Sequence, residues 1–172
     1  MRNSTRFVTR AGVIAALYVV LTLAPGLSAI AYGPIQVRVS EALTSLAFFE
    51  PAAIPGLWIG AVISNYFGPN GIWDVVWGAS LTLVAAYLTW KIRRPALALL
   101  PPVLINAFGV AFLLKHLVAF NIPDAYMFLV FSVGGGEAIA VYLIGYPILM
   151  YLLNTGILIR QDVFAAKMGR PV

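Results

Sequence analysis

The chain has 172 residues, of which 62% are hydrophobic and only 10% are charged, and it carries a formal net charge of +5. An ordinary soluble domain contains about 25% charged residues, so the composition excludes a soluble globular protein, a disordered chain and a nucleic-acid-binding module. The absence of cysteine and the single histidine exclude disulfides, iron–sulfur clusters and metal sites built from several histidines. We therefore expect one compact integral membrane domain over residues 1–172.

Long runs without a charged residue define the candidate membrane spans. A spanning helix needs about 20 mainly apolar residues, whereas barrel strands would alternate apolar and polar positions, which these runs do not. Only Glu137 interrupts the last long apolar stretch. The sequence predicts helices at about 7–28, 38–50, 52–68, 74–92, 95–118 and 124–158.

The segment 39–49 is short for a crossing, since eleven residues of α-helix reach about 16 Å. The basic residues indicate whether it crosses, because they favour the cytoplasmic side of a membrane. They form clusters at 2–10, 91–94 and 160–170. These clusters share one side only if 39–49 crosses the membrane. We therefore predict six transmembrane helices with both termini in the cytoplasm.

Most polar groups in the predicted spans lie in the outer half of this topology. They predict a small-molecule pocket near the outer face, with aromatic rings available to stack on a planar ligand. The polar candidates are Gln36, Arg38, Glu41, Asn65, Asp74, Asn106, His116 and Glu137, and the aromatic candidates are Tyr32 and Trp77.

Each candidate also has a structural interpretation. An ionisable group inside an apolar helix is a functional candidate by default, but Glu137 could instead be a protonated or hydrogen-bonded packing residue. Asn106 could join two helices, and Arg38 could form an ordinary pair with Glu41 three residues later. Trp77 and His116 are residue types found at membrane interfaces.

The first helix carries small residues at Ala11, Gly12 and Ala15. Small residues four positions apart allow two helices to approach closely. The pattern predicts a tight helix contact, either within the chain or with a partner subunit.

No motif for chemistry is present in the sequence. It contains no GxxxxGK[ST] phosphate loop, no HExxH metal motif and no GxSxG nucleophile motif. We therefore expect no catalysis, no ATP hydrolysis and no cofactor in this chain. A small membrane protein with an outer pocket and no energy source of its own is typical of a substrate-binding subunit of a larger machine.

The stretch YGPIQVRVSEAL, from Tyr32 to Leu43, resembles the signature of the QueT family. Members of that family are substrate-capturing S-components of energy-coupling-factor (ECF) transporters, associated with the import of queuosine precursors. The resemblance extends along nearly the whole membrane domain. It includes AALYVVLTL in the first helix, Asn65, Asp74, Asn106 and the pair Gly136–Glu137.

The resemblance implies an all-α S-component fold of six transmembrane helices in a prokaryotic plasma membrane. It implies a pocket near the outer face, with the first outward loop as a lid. It also implies partners: a transmembrane coupling subunit and two ATPase subunits that use the ATP. The first helix of an S-component typically docks onto the coupling subunit, and here that surface would contain Ala11, Gly12 and Ala15.

The implied substrate, a deazaguanine-type base, suits the polar candidates. Its N–H groups can donate to a carboxylate, and an aminomethyl derivative adds a cation that calls for a second carboxylate. We expect Glu137, with either Glu41 or Asp74, to hold the ligand, while Arg38 could instead lock the lid to Glu41.

Three alternatives remain open from the sequence. The chain could be an S-component for another vitamin or purine-like base. It could be a small membrane-embedded enzyme, for which Glu137 and His116 are the available catalytic pair. It could also be a structural or assembly protein whose outer polar groups satisfy one another.

Overall fold

The computed structural model describes residues 2–32, 36–118, 126–157 and 161–168. Every regular element in these ranges is helical, which confirms the all-α prediction for the described part of the chain. Several predicted features fall wholly or partly outside the described residues: the connection between the predicted helices 7–28 and 38–50, the connection between 95–118 and 124–158, the two ends of the helix 124–158, and the basic cluster 160–170.

Helices of different lengths and types follow one another along the chain. In order, they are α1 (Arg2–Leu23), α2 (Leu27–Ala31), a 3₁₀ helix (Val39–Phe48), α3 (Ala53–Phe67), a π-helical turn (Asp74–Gly78) leading into α4 (Ala79–Lys91), α5 (Pro95–Ala98), α6 (Leu100–Phe112) with a π-helical turn at its end (Leu113–Leu117), α7 (Tyr126–Ala138), a π-helical segment (Ile139–Gly145), α8 (Tyr146–Thr155) and α9 (Gln161–Met168).

Three helical stretches in the described residues are long and apolar enough to cross a membrane. They are Ser4–Leu23 with 20 residues, Pro95–Leu117 with 23 and Tyr126–Thr155 with 30. Two shorter apolar helices, Val39–Phe48 and Ala53–Phe67, accompany them. The prediction of an integral membrane protein agrees with these lengths.

The predicted and observed helix boundaries differ where local chemistry breaks the helix. The first predicted helix, 7–28, divides after Leu23, because Pro25 has no backbone N–H and Gly26 adopts a φ of 85°. The predicted helix 38–50 is a 3₁₀ helix of ten residues, which rises about 2.0 Å per residue and therefore spans about 20 Å. The helix α9 was not predicted.

Helices α1 and α3 pack closely through small residues. A Cβ atom added to Gly56 would lie 2.7 Å from the backbone oxygen of Ala11, and one added to Gly60 would lie 3.1 Å from that of Ala15. Both alanines are buried, whereas Gly12 is exposed. Ala11 and Ala15 therefore form a helix contact within the chain. The sequence predicts either such a contact or one with a partner subunit.

The last long helix lies along the chain segment 36–48. A Cβ atom at Gly136 would overlap the carbonyl oxygen of Gln36 and lie 2.8 Å from its carbonyl carbon. A Cβ atom at Gly145 would lie 2.8 Å from the backbone oxygen of Ala42. These two glycines let the backbones touch, which brings Glu137 next to the start of the 3₁₀ helix.

Two basic residues, Arg10 and Lys167, lie at one end of the molecule. Arg10 of α1 forms an ion pair with Glu50, just after the 3₁₀ helix. The ammonium of Lys167 donates to the backbone oxygen of Phe48 and lies 5.0 Å from the ring centroid of Trp90. The start of α1, the ends of the 3₁₀ helix and α4, and α9 are therefore neighbours. Arg38 lies at the opposite end of the 3₁₀ helix.

Candidate functional site

A polar cavity lies between the segment 36–41 and helices α4, α6 and α7. Its space is about 330 Å³, including the opening to solvent, although the side chains leave room for little more than one water molecule at its centre. The cavity would have to widen to admit a base. Its lining consists of Gln36, Arg38, Glu41, Gly78, Thr82, Asn106, Val110, Val133 and Glu137.

Glu41 is held by hydroxyl groups on both of its oxygens. The Tyr18 hydroxyl of α1 donates to Oε1. The Thr44 hydroxyl donates to Oε2 at 3.1 Å, because a 3₁₀ helix places residues three apart in line. Both carboxylate oxygens of Glu41 therefore already have a donor.

One carboxylate oxygen of Glu137 is free to accept a hydrogen bond. Asn106 of α6 lies within hydrogen-bonding reach of its carboxylate, and Glu41 and Arg38 lie close enough to interact with its charge. Its Oε1 atom is buried and has no hydrogen-bond partner among the described residues. The Nε2 amide group of Gln36 is likewise buried and has no hydrogen-bond partner among the described residues. The cavity lining thus offers one free acceptor and one free donor.

Arg38 joins the 3₁₀ helix to the opening of α4. Its Nη2 atom lies 3.9 Å from Oδ2 of Asp74, and its Nε group donates to the Ala31 backbone oxygen at 3.4 Å. Asn70 also donates to Oδ2 of Asp74, at 3.2 Å. Arg38 therefore pairs with Asp74 on another helix instead of with Glu41 three residues along.

Tyr32 and Asn65 do not line the cavity, but they contact Arg38 and Asp74 beside it. The Arg38 guanidinium carbon is 5.0 Å from the Tyr32 ring centroid. Burial raises the pKa of Tyr32, and its phenol donates to the Ser64 backbone oxygen at 2.8 Å. Asn65 donates to the Asp74 backbone oxygen at 2.8 Å. Both residues support the Arg38–Asp74 pair instead of lining the cavity.

Trp77 and His116 lie apart from the cavity lining. The Trp77 indole N–H donates to the Gly109 backbone oxygen at 3.0 Å, and its ring packs 5.6 Å from Phe112. The His116 ring lies 4.8 Å from Phe112 and 6.4 Å from Tyr126. These residues form an aromatic group on the partly exposed surface and do not line the cavity.

Sequence reasoning missed three polar residues of the site. Tyr18 and Thr44 hold Glu41, and Thr82 lines the cavity. A tyrosine inside the apolar stretch AALYVVLTL is a signal that could have been followed, since a buried phenol usually needs a partner. Threonine is too common in apolar helices for Thr44 and Thr82 to stand out.

The donors and acceptors of the cavity come from four separate parts of the chain and converge on one buried space. Among the described residues, no group of three or more His, Asp or Glu side chains is arranged to hold a metal ion.

Comparison with known proteins identifies a family and a curated relative that resemble this chain. The family model for the QueT transporter matches residues 8–154. The queuosine precursor transporter QueT of Lactococcus lactis subsp. cremoris (strain MG1363) is 47% identical over 83 residues. That match spans 48% of this chain and 48% of the relative, about half the length of each. No solved structure matches the chain.

Proposed function

Since the chain belongs to the QueT transporter family, we propose that it captures a queuosine precursor, a deazaguanine-type base, in the polar cavity beside Glu137. The family is one of transporters, so this chain is a membrane transport protein and not an enzyme built on Glu137 and His116.

One observation carries the choice of site. Glu137 Oε1 and Gln36 Nε2 are buried, have no hydrogen-bond partner among the described residues and line one cavity. Unpaired polar groups are costly inside an apolar protein, and more so within a membrane. A base with N–H donors and a ring carbonyl would satisfy both groups, since Glu137 would accept and Gln36 would donate.

The other candidates take roles that follow from their contacts. Asn106 orients the Glu137 carboxylate. Arg38 and Asp74, supported by Tyr32 and Asn65, hold the segment before the 3₁₀ helix against the bundle. Glu41 adds negative charge to the cavity. Trp77 and His116 serve as interface residues at the outer end.

The topology that we propose has six crossings with both termini in the cytoplasm. The contacts of Arg10 with Glu50 and of Lys167 with Phe48 support it, because they unite basic segments from both ends of the chain. The positive-inside rule assigns such an end to the cytoplasm. The 3₁₀ helix would then cross from this end towards the outer cavity.

Cysteine labelling can test this topology, because the chain has no cysteine of its own. We expect Pro69→Cys to react with a membrane-impermeant maleimide in intact cells. Ser4→Cys and Ala96→Cys should react only after permeabilisation. All three positions lie outside the buried core, and none carries a charge that would alter the positive-inside signal.

Ser4 and Ala96 lie on the same side only if the 3₁₀ helix crosses the membrane. Labelling of only one of Ser4→Cys and Ala96→Cys in intact cells would show that Val39–Phe48 does not cross. Labelling of both Ser4→Cys and Ala96→Cys in intact cells, with Pro69→Cys protected, would instead invert the orientation.

The energy for import would come from an ECF module. The sequence has no phosphate-binding loop, so we propose that a transmembrane coupling subunit and two ATPases drive release of the substrate. Since Ala11 and Ala15 are buried against α3, the part of α1 left for the coupling subunit is its exposed side, which includes Val8, Gly12 and Ala16.

A thermal unfolding experiment tests the substrate class. The purified protein in detergent is heated with deazaguanines, guanine, riboflavin, thiamine or biotin. A ligand that binds only the folded state, at a hundredfold excess over its Kd, stabilises it by about 2.7 kcal/mol. We expect a rise in Tm with deazaguanines. A rise in Tm with another compound alone would leave the transport function in place and change the proposed substrate.

A further inference from the structure

An apolar groove lies between α1 and the end of the 3₁₀ helix. Its space is about 650 Å³, including the part that is open to the surroundings. Its walls are formed by Val13, Ile14 and Leu17 of α1 and by Leu46 and Phe49 on the other side. The polar cavity contains none of these residues, so the groove is a second and separate space.

The groove runs along a helix that is long and apolar enough to cross a membrane. Its lining extends from Thr9 to Leu17, which measures about 12 Å at a rise of about 1.5 Å per residue. Val13 is 55% exposed and Leu17 is 46% exposed. The open side of the groove is therefore available to an acyl chain that lies alongside α1.

One end of the groove is polar. Arg10 and Glu50 line it, and Nη1 of Arg10 donates to Oε2 of Glu50. The backbone N–H of Ala52 donates to the other oxygen of Glu50 at 3.1 Å, so both carboxylate oxygens have a donor. A guanidinium has five N–H donors, and Arg10 has no further hydrogen-bond partner among the described residues. Arg10 can therefore bind a second anion.

The face of α1 that forms the groove continues into a row of arginines. Positions 2, 6, 10, 13 and 17 fall within an arc of about 80° on an α-helix, which turns by about 100° per residue. The first three are arginines, and the last two are Val13 and Leu17. The groove lining contains one carboxylate, Glu50, against these three cationic positions. This end of the helix face is therefore net positive.

The two parts of this face match the two parts of a phospholipid. Apolar side chains do not distinguish one lipid from another, because lipid tails are as apolar as leucine. A guanidinium does distinguish them, since it forms charge-assisted hydrogen bonds with phosphate oxygens. Basic pockets between transmembrane helices on the cytoplasmic side bind anionic lipid head groups, and the proposed topology places Arg10 on that side.

We propose that the groove binds an anionic phospholipid, with one acyl chain between α1 and the 3₁₀ helix and its phosphate group against Arg6 and Arg10. The site does not depend on the proposed substrate. It is also distinct from the side of α1 proposed for the coupling subunit, since Val8, Gly12 and Ala16 do not line the groove.

Native mass spectrometry of the full chain tests the preference for an anionic head group. The protein in detergent is titrated with phosphatidylglycerol or with phosphatidylcholine of identical acyl chains, and bound lipids are counted. One basic residue near an anionic head group strengthens binding by about fivefold. We therefore expect half-saturation at a concentration at least about tenfold lower for phosphatidylglycerol. This comparison uses the unaltered protein and needs no variant to fold.

Charge variants assign the preference to the arginines. In the double variant Arg6→Gln with Arg10→Gln, the preference for phosphatidylglycerol should fall below about threefold. The matched control is Arg93→Gln, which removes an exposed positive charge outside the groove lining. The control should keep the tenfold preference.

A filled groove assigns the acyl chain. Val13→Phe places a ring in the groove and should abolish the tightly bound lipid. Val84→Phe is the matched control, because Val84 is an exposed valine of α4, 49% accessible, that does not line the groove. The control should bind phosphatidylglycerol as the parent protein does.

Each contrary result overturns a defined part of the proposal. Equal half-saturation by both lipids would overturn the preference for an anionic head group. Tight binding that survives in Val13→Phe, or a preference that survives in the double arginine variant, would overturn the placement in this groove. Displacement of the lipid by an equal concentration of soluble glycerol phosphate would assign the site to free phosphate. A lipid-free dimer in the spectrum would assign the groove to a second copy of the chain.

Discussion

Replacing Arg38 with methionine is expected to destabilise the protein by about 3–5 kcal/mol, the usual cost of removing one partner from a buried ion pair. Methionine keeps much of the length and apolar stem of arginine but leaves Asp74 without a cation. It also removes the hydrogen bond to Ala31 and the contact with Tyr32. Thermal or denaturant unfolding in detergent would measure the loss.

Arg10→Met is the matched control for Arg38→Met. The Arg10 side chain is 39% exposed in its pair with Glu50, and exposed ion pairs contribute about 0–1 kcal/mol. The double variant Arg38→Met with Asp74→Asn should recover part of the stability, because no charge is left unpaired. Equal losses in the two single arginine variants would contradict a special role for the Arg38–Asp74 pair.

Gly136→Ala should lower the stability by about 1–3 kcal/mol, the range for overpacking a tight contact, and should weaken ligand binding by at least about tenfold. The new Cβ atom would overlap the Gln36 carbonyl oxygen. Backbone cannot move aside as a flexible side chain can, so the segment that carries Gln36 and Arg38 would shift. Ligand-induced Tm shifts would report both effects.

The neighbouring glycine provides the control. A Cβ atom at Gly135 has no neighbour within 4 Å, and alanine favours a helix over glycine by about 1 kcal/mol. Gly135→Ala should therefore be as stable as the parent protein or slightly more stable, with unchanged affinity. If Gly136→Ala behaves in the same way, the segment before the 3₁₀ helix does not depend on this close contact.

The sequence predicts the helical class and the main membrane spans, because a long charge-free run has few alternatives to a helix in lipid. It also singles out Glu137 and Asn106, since a polar residue in an apolar run is conspicuous. The 3₁₀ form of Val39–Phe48 has no comparable signal. The composition of this segment fits an α-helix equally well. In the structure, the 3₁₀ form occurs together with close packing of segment 36–48 against Gly136 and Gly145.

The direction of side chains is harder to predict than the presence of a helix. Trp77 stands three residues after Asp74, a spacing that shares a face in an α-helix. The π-helical turn Asp74–Gly78 widens the helix, so Asp74 is buried while Trp77 is partly exposed. The hydrogen bond between Tyr18 and Glu41 is equally hard to predict, because the two residues are more than twenty positions apart in the sequence.

The 3₁₀ helix is tied down just beyond both of its ends. Arg38 pairs with Asp74 before it, and Glu50 pairs with Arg10 after it. Ten residues measure about 20 Å as a 3₁₀ helix and about 15 Å as an α-helix. The two ion pairs therefore fit a segment of the longer 3₁₀ form. If loss of the buried Arg38–Asp74 pair let the segment shorten to an α-helix by about 5 Å, Glu41 would move to a different depth in the membrane from Glu137.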